Sequence, residues 1–230
     1  MLIFVANNEK LADEKTAPKL MIRIDTYLVE DSLFGKSKWW GQPDMPEVLD
    51  YPEIMVTDDD GDTYTDPMTF LCQIRCEDIT ALDPEGLLPH EGMLYFFAAL
   101  DYFLGDLDTP VYPGMGEWQR DYFKVLYSPT CDNLHTHQIV NEDGTTATLP
   151  AETMTFTACE EAGDGVRLLG LPYIGEVREA MPGYLSLLQV DENDRWPLTF
   201  HDCGTLNFLI RPDDLRQRRW NQTECYFFSF

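Results

Sequence analysis

The stretches that decide the fold are WWGQP (39–43), FLCQI (70–74) and HEGMLYFF (90–97), echoed in order by LLGLP (168–172), LLQV (187–190) and HDCGTLNFL (201–209). The matched positions are Gly41 with Gly170, Pro43 with Pro172, Gln73 with Gln189, His90 with His201, and Gly92 with Gly204. The repetition predicts two copies of one supersecondary unit, packed about a pseudo-twofold axis.

Strand patterns dominate the chain around these motifs. Alternating or apolar runs bounded by Gly, Pro, Asn and Asp predict strands at 20–29, 68–75, 92–100, 122–127, 135–140, 145–149, 153–159, 184–190, 205–211 and in the closing CYFFSF. Short helices are expected at 7–17 and from Pro212, where proline and acids favour a first turn. The ranges 31–66 and 101–118 are expected to be long irregular inserts. The predicted fold class is α+β, predominantly β: a single domain over 1–230, with repeat halves at about 20–100 and 166–215.

The net charge is the most unusual property of the composition. The chain has 41 acidic and 16 basic residues, for a formal net charge of −25. Such a surface repels phosphate backbones and anionic membranes, so neither nucleic acid nor membrane is expected as a partner. A basic protein or a cation would be attracted. The alternative is that the acidity only keeps the protein soluble.

The six cysteines are expected to be free thiols. Their spacings are irregular, and no basic region or cleavage site accompanies the apolar run at the start of the sequence. No apolar stretch approaches the ~20 residues needed to span a bilayer. These features predict a protein of the reducing cytoplasm.

The repeated motifs resemble those of the YwqG-like bacterial proteins, a domain family of unknown function. The first half supplies Gly-x-Pro, Phe-Leu-x-Gln-Ile and Leu-Pro-x-x-Gly-x-Leu-x-Phe-Phe at 41–43, 70–74 and 88–97. The second half supplies Leu-Leu-Gly-x-Pro, a Leu-Leu-Gln strand and Asp-x-Gly-x-Leu-x-Phe-x-Ile at 168–172, 187–189 and 202–210. Where the family usually has two adjacent glycines before the first proline, this chain has Trp40-Gly41. The resemblance covers about residues 20–220. It implies the fold and a bacterial, cytoplasmic setting, with no established activity; some relatives are suspected immunity proteins against toxins.

Gln73 and Gln189 each end an apolar run, where an amide must find hydrogen-bond partners. In one interpretation both amides bind backbone across the pseudo-twofold axis and fix the register of the two halves. In the other they orient a ligand in a central cleft. The first is favoured.

Histidines stand beside carboxylates at two matched places, His90-Glu91 and His201-Asp202. Such a pair can do acid–base work or bind a metal. Neighbours on a strand point to opposite faces, however, so neither pair need be in contact. His90, His201 and Asp202 are kept as cleft candidates, and no catalytic residue is assigned.

No metal or cofactor site is predicted. His135 and His137 would share one strand face, but two ligands do not make a site. The acidic run at 58–62 fails the calcium-loop register, because Val56 and Pro67 would occupy positions that require carboxylates.

Aromatic residues in the irregular inserts are the candidates for partner contact: Trp39, Trp40, Tyr51 and Trp118. Aromatics on loops can anchor a partner protein, or they can fix the loop to the core.

Two functional hypotheses follow. The first is a non-enzymatic protein-binding module, immunity- or antitoxin-like, that binds a basic partner through its acidic face. The alternative is a small-molecule binder or hydrolase with a site in the cleft between the two repeats.

Overall fold

The computed structural model describes residues 21–57, 60–100, 113–141, 143–193, 195–196, 200 and 203–230. The expected helix at 7–17 and the first part of the insert at 101–118 lie outside these residues.

Strands make up most of the secondary structure. They are β1 Met21–Leu28, β2 Lys38–Trp39, β3 Asp44–Pro46, β4 Glu53–Thr57, β5 Thr63–Pro67, β6 Thr69–Arg75, β7 Met93–Ala98, β8 Gly116–Trp118, β9 Phe123–Ser128, β10 Leu134–Thr136, β11 Glu152–Cys159, β12 Arg167–Leu168, β13 Leu185–Asp191, β14 Thr205–Ile210 and β15 Glu224–Phe228. The helices are short: α1 Cys76–Ile79, α2 Gly175–Ala180 and α3 Pro212–Arg216. The expectation of a predominantly β protein is confirmed, and so is the helix beginning at Pro212.

Eleven strands form one sheet in the order β8-β15-β14-β13-β12-β1-β11-β2-β6-β7-β9. The edge strands β8 and β9 are joined by the short segment 119–122, which can reach at most ~18 Å. Laid flat, the sheet would hold its edges ~48 Å apart, at ~4.8 Å per strand. The sheet therefore curls until its edges come near each other, and it is nearly closed.

The curled sheet encloses the main core. Along β7, Leu94 and Phe96 face the interior, while Tyr95 and Phe97 face a second apolar cluster on the outer side. Both faces are covered, which is why β7 is apolar at nearly every position. Inside, Phe96 meets Phe208 of β14 edge to face, with ring centroids 5.4 Å apart.

Different elements cover the outer face of the sheet at its two ends. The hairpin β4–β5 packs Ile54 and Val56 against the outer side of β6 and β7. Helix α2 packs Val177 against Leu209 of β14. The hairpin side carries the candidate site described below.

Two expectations about inserts and strands were wrong. The range 31–66 contains β2 to β5 rather than one long loop. The range 145–149 forms no ladder and has only an isolated bridge between Val140 and Thr146. The β4 sequence EIMVT does alternate, with a buried-exposed pattern to match; its proximity to a run of aspartates concealed it. Gly144 has a positive φ of 82° in the turn between Asn141 and Thr145.

The quoted motifs share local geometry. Trp40 and Leu169 both have positive φ, 55° and 62°, and a positive-φ glycine follows each. The amide of Trp40 donates to the carbonyl of Leu71, and that of Leu169 donates to the carbonyl of Leu187. The β6–β7 ladder shifts register between Phe70 and Cys72, and the β13–β14 ladder between Ser186 and Leu188.

Candidate functional site

Gln73 is fully buried on β6 and joins β3 to the sheet. Its Oε1 accepts from the Asp44 amide at 2.7 Å, and its Nε2 donates to the carbonyl of Lys36 at 2.8 Å. Nε2 also lies 3.2 Å from the Asp44 carboxylate. All the polar groups of this amide are engaged with the segment that precedes β6.

The Asp44 carboxylate is the centre of a buried polar network. It accepts from Lys38 Nζ at 2.8 Å, from the Gly35 amide at 2.8 Å and from Thr136 Oγ1 at 2.8 Å. The Lys38 and Asp44 side chains are only 6% and 1% exposed. A buried ion pair needs such additional hydrogen bonds to offset its desolvation, so this network fixes β3 and β10 against the sheet.

Gln189 occupies the corresponding place on β13 and is 2% exposed. Its Nε2 donates to the carbonyls of Gly163 and Gly165 at 3.0 and 2.9 Å. Gly165 lies five residues before Gly170, as Lys36 lies five before Gly41. Both glutamines therefore bind backbone of the segment just before their own Gly-x-Pro motif.

His90 is half-exposed beside a buried acid. Its Nε2 lies 3.7 Å from the carboxylate of Asp83, which accepts from the Leu88 amide at 2.7 Å. The nearest acid to His90 is thus Asp83 rather than Glu91. His201 and Asp202 lie outside the described residues.

The half-buried His137 packs against an aromatic ring. Its ring stacks on Tyr51 with centroids 4.5 Å apart, and Tyr51 donates its hydroxyl to the carbonyl of Met68. Burial lowers the pKa of His137, neighbouring His135 lowers it further, and Glu53 opposes both. Within the described part of the chain, no group of three or more His, Cys, Asp or Glu residues is placed to hold a metal ion.

Three of the four aromatic candidates are buried. Trp39 stacks on Trp196 at 5.2 Å, and Trp40 meets both rings edge to face. Trp118 donates its indole N–H to the carbonyl of Gly114 and is 2% exposed. Tyr51 is half-buried. The sequence did not indicate Trp196, whose indole N–H donates to Glu152 at 3.2 Å.

An open groove of about 570 Å³ lies beside Trp40 and the hairpin β4–β5. We call it the Trp40 groove; it is lined by Trp40, Gly41, Tyr51, 66–70, 139–141 and 146–149. Its size falls within the range typical of ligand sites. The lining residues come from four separate parts of the chain.

The Trp40 groove is built from two segments without Lys or Arg. The segments 39–74 and 125–166 contain 9 and 7 acids and no Lys or Arg. Asp66 lies in the lining, Glu53 pairs with Pro67 across the hairpin, and Asp143 stands in the turn that joins two lining stretches. Hydrogen bonds from Thr145 lower the pKa of the exposed Asp143 carboxyl, which keeps it ionised.

Two buried polar atoms of the groove residues have no partner among the described residues. They are Nε1 of Trp40 and Oγ1 of Thr148. Buried polar groups are nearly always hydrogen-bonded, and leaving one unpaired costs about 1–3 kcal/mol. This groove therefore combines a concave shape, an acidic lining residue and two unpaired buried polar atoms; five further atoms of that kind lie in other described side chains.

The thiols and helices give two further findings. All six cysteines are free, and burial raises the pKa of Cys72, Cys76 and Cys225. None of the helices in the described ranges is long and apolar enough to cross a membrane.

Comparison with known proteins identifies the family. The chain matches the model of a family described as Domain of unknown function (DUF1963) over residues 37–162 and 139–227. These matches span well over half of the sequence and include both sets of repeated motifs as well as all the residues of the Trp40 groove. No curated protein matches the chain. The chain belongs to the DUF1963 family, the YwqG-like family whose motifs it carries.

Proposed function

We propose that this protein is a non-enzymatic binding module that takes a basic protein partner at the Trp40 groove. The observation that carries the proposal is the absence of Lys and Arg from both segments that build the groove, against 16 acids in the same segments. Of these acids, Asp66 lines the groove, whereas Asp44 and Glu152 are buried in ion pairs with Lys38 and Arg195. Four arginines, by contrast, fall within 211–219, around α3. The acidity is therefore unevenly distributed, which a role in solubility alone does not require.

A one-signed concave surface raises the local concentration of an oppositely charged partner and speeds its encounter. Asp66, Glu53 and Asp143 are placed at the groove and have no ion pair with Lys or Arg among the described residues. They are free to accept such a pair from a partner.

The test compares two triple variants of equal net charge. One changes the groove acids (Glu53→Gln, Asp66→Asn, Asp143→Asn), and the other changes exposed acids elsewhere (Glu30→Gln, Glu117→Gln, Glu179→Gln). Binding of a folded basic protein such as cytochrome c is measured against salt concentration. The groove variant should bind about tenfold more weakly at low salt, from three exposed contacts of about 0.5 kcal/mol each. Equal weakening by both variants would mean that only diffuse charge acts.

The alternative of a small-molecule binder or hydrolase at the glutamine pair has less support. Gln73 and Gln189 are buried and bonded to backbone, which leaves their amides little to offer a ligand. A cytoplasmic setting is likewise part of the proposal, supported by six free cysteines.

We also infer that the chain is a fused duplication with a pseudo-twofold axis near the paired strands β1 and β11. Outward from that pair, β2-β6-β7-β9 on one side match β12-β13-β14-β15 on the other, where the edge strand β8 follows as a fifth. The matched glutamine contacts, register shifts and positive-φ residues support the inference, as does the contact between the corresponding rings of Phe96 and Phe208. Superposition of the two four-strand units in an experimental structure tests it.

A further inference from the structure

The open edge of β5 leads directly into the Trp40 groove. β5 pairs with β4, and no second strand pairs with it among the described residues. Asp66 and Pro67, at the end of β5, belong to the groove lining. An unpaired edge presents a row of free N–H and C=O groups to which another chain can pair.

We propose that the groove's partner is bound as an extended peptide segment, in which lysine or arginine alternates with an apolar residue. The segment adds a strand to the edge of β5 and lays its apolar side chains over the groove. This rests on the proposed function, since it names the form in which the basic partner binds.

The residues of β5 favour strand addition. Its sequence TYTDP is rich in Thr and Tyr, which suit strands. The strand is exposed along most of its length, and its edge-protecting residues, Asp66 and Pro67, lie at one end. Pro67 lacks an N–H group, so the available edge runs over Thr63–Asp66. Main-chain hydrogen bonds along such an edge supply affinity, and pockets for alternate side chains supply specificity.

The groove accounts for the side chains of the peptide. Alternate residues of a strand lie on the same face about 7 Å apart. One face would meet Trp40, Tyr51 and Leu149 in the lining. The opposite, charged face would lie on the exposed side of the hairpin, which carries Glu53.

The two unpaired donors match the same ligand. Trp40 Nε1 and Thr148 Oγ1 are both buried and have no partner in the part of the chain that the structure describes, and both residues line the groove. Both atoms are almost completely shielded in the free protein, so a peptide carbonyl would reach them only with a movement of the groove walls. Their desolvation has already been met in the free protein, so a new hydrogen bond there adds to affinity.

The probe is a fluorescent hexapeptide that alternates lysine with leucine and is blocked at both ends. A matched peptide has glutamate in place of lysine. Two further versions carry N-methyl groups on the odd or on the even residues, since a β-strand points successive N–H groups to opposite edges. Fluorescence anisotropy gives the affinity of each for the full chain.

One N-methylated version should bind at least about tenfold more weakly than the parent, and the other within about threefold, because only one set of N–H groups faces β5. The glutamate peptide should not bind. Strand addition would be overturned if both N-methylated peptides bound as tightly as the parent, or if both lost affinity to the same extent. So would a dimer of the free protein that pairs its own β5 edges.

Thr148→Val tests the groove independently of β5. Valine keeps the shape and removes the unpaired hydroxyl, so the peptide should bind about threefold or more weakly while the melting temperature stays the same or rises. Unchanged affinity would remove Thr148 from the site.

The two proposals can be told apart. If the peptide does not bind but cytochrome c still binds with the groove-dependent salt effect, strand addition is rejected and the proposed function stands. Loss of both results rejects the proposed function itself.

Discussion

At the scale of single residues, Gly41 and Gly170 occupy matched positions but differ in how well they tolerate an added Cβ atom. Both have positive φ, which costs an L residue about 1–2 kcal/mol. A Cβ on Gly41 would lie 2.6 Å from the Cβ of Ala151, whereas one on Gly170 would meet the flexible side chain of Met21.

We therefore expect Gly41→Ala to lower the free energy of unfolding by about 2–4 kcal/mol and Gly170→Ala by about 1–2 kcal/mol. Urea denaturation measures both. Gly61→Ala is the control, because Gly61 has positive φ with no atom near its absent Cβ. A greater loss at Gly170 than at Gly41 would contradict the packing at Ala151.

His137 gives a prediction for pH. Its pKa in the folded protein is lowered from 6.5, chiefly by burial, so the unfolded chain takes up the proton first as the pH falls. Stability should therefore decline as the pH drops through 6.5. His137→Phe keeps the ring on Tyr51 and removes the titration, so its decline over this range should be shallower. Parallel stability curves for the two proteins would exclude this contribution.

At the scale of elements, the two glutamines hold their preceding segments with different strength. Gln73→Met would leave the buried Asp44 amide and the Lys36 carbonyl without their partner. Gln189→Met would free only the carbonyls of Gly163 and Gly165, which are half-exposed and open to water. We expect the free energy of unfolding to fall by about 2–4 kcal/mol for Gln73→Met and by about 1–2 kcal/mol for Gln189→Met. Guanidinium titration compares them, and the reverse order would contradict the buried network.

The elements also mark what sequence alone could predict. Long strands such as β7 and β11 can be predicted from their apolar or alternating residues. β2 has two residues and β3 has three, so neither carries a period, and only tertiary pairing makes them strands. The Thr-rich 145–149 has strand-forming residues but no ladder partner.

At the scale of the whole molecule, composition and repeats predict a mostly β protein, whereas the strand order depends on pairings between distant segments. β1 pairs with β11 some 130 residues along the chain, and no local pattern encodes such a choice. The Trp40 groove was missed for the same reason, since its lining is assembled from four places. A signal was present in the two long segments without Lys or Arg.

Basic, extended peptides should bind at the Trp40 groove. The most direct measurement is a two-dimensional ¹H–¹⁵N NMR titration with the lysine–leucine hexapeptide. We expect shift changes concentrated in 63–70 and 139–149, together with a change in the Trp40 indole N–H resonance as it gains an acceptor. Small changes spread over exposed acids such as Glu30, Glu117 and Glu179, with the Trp40 indole unmoved, would contradict it.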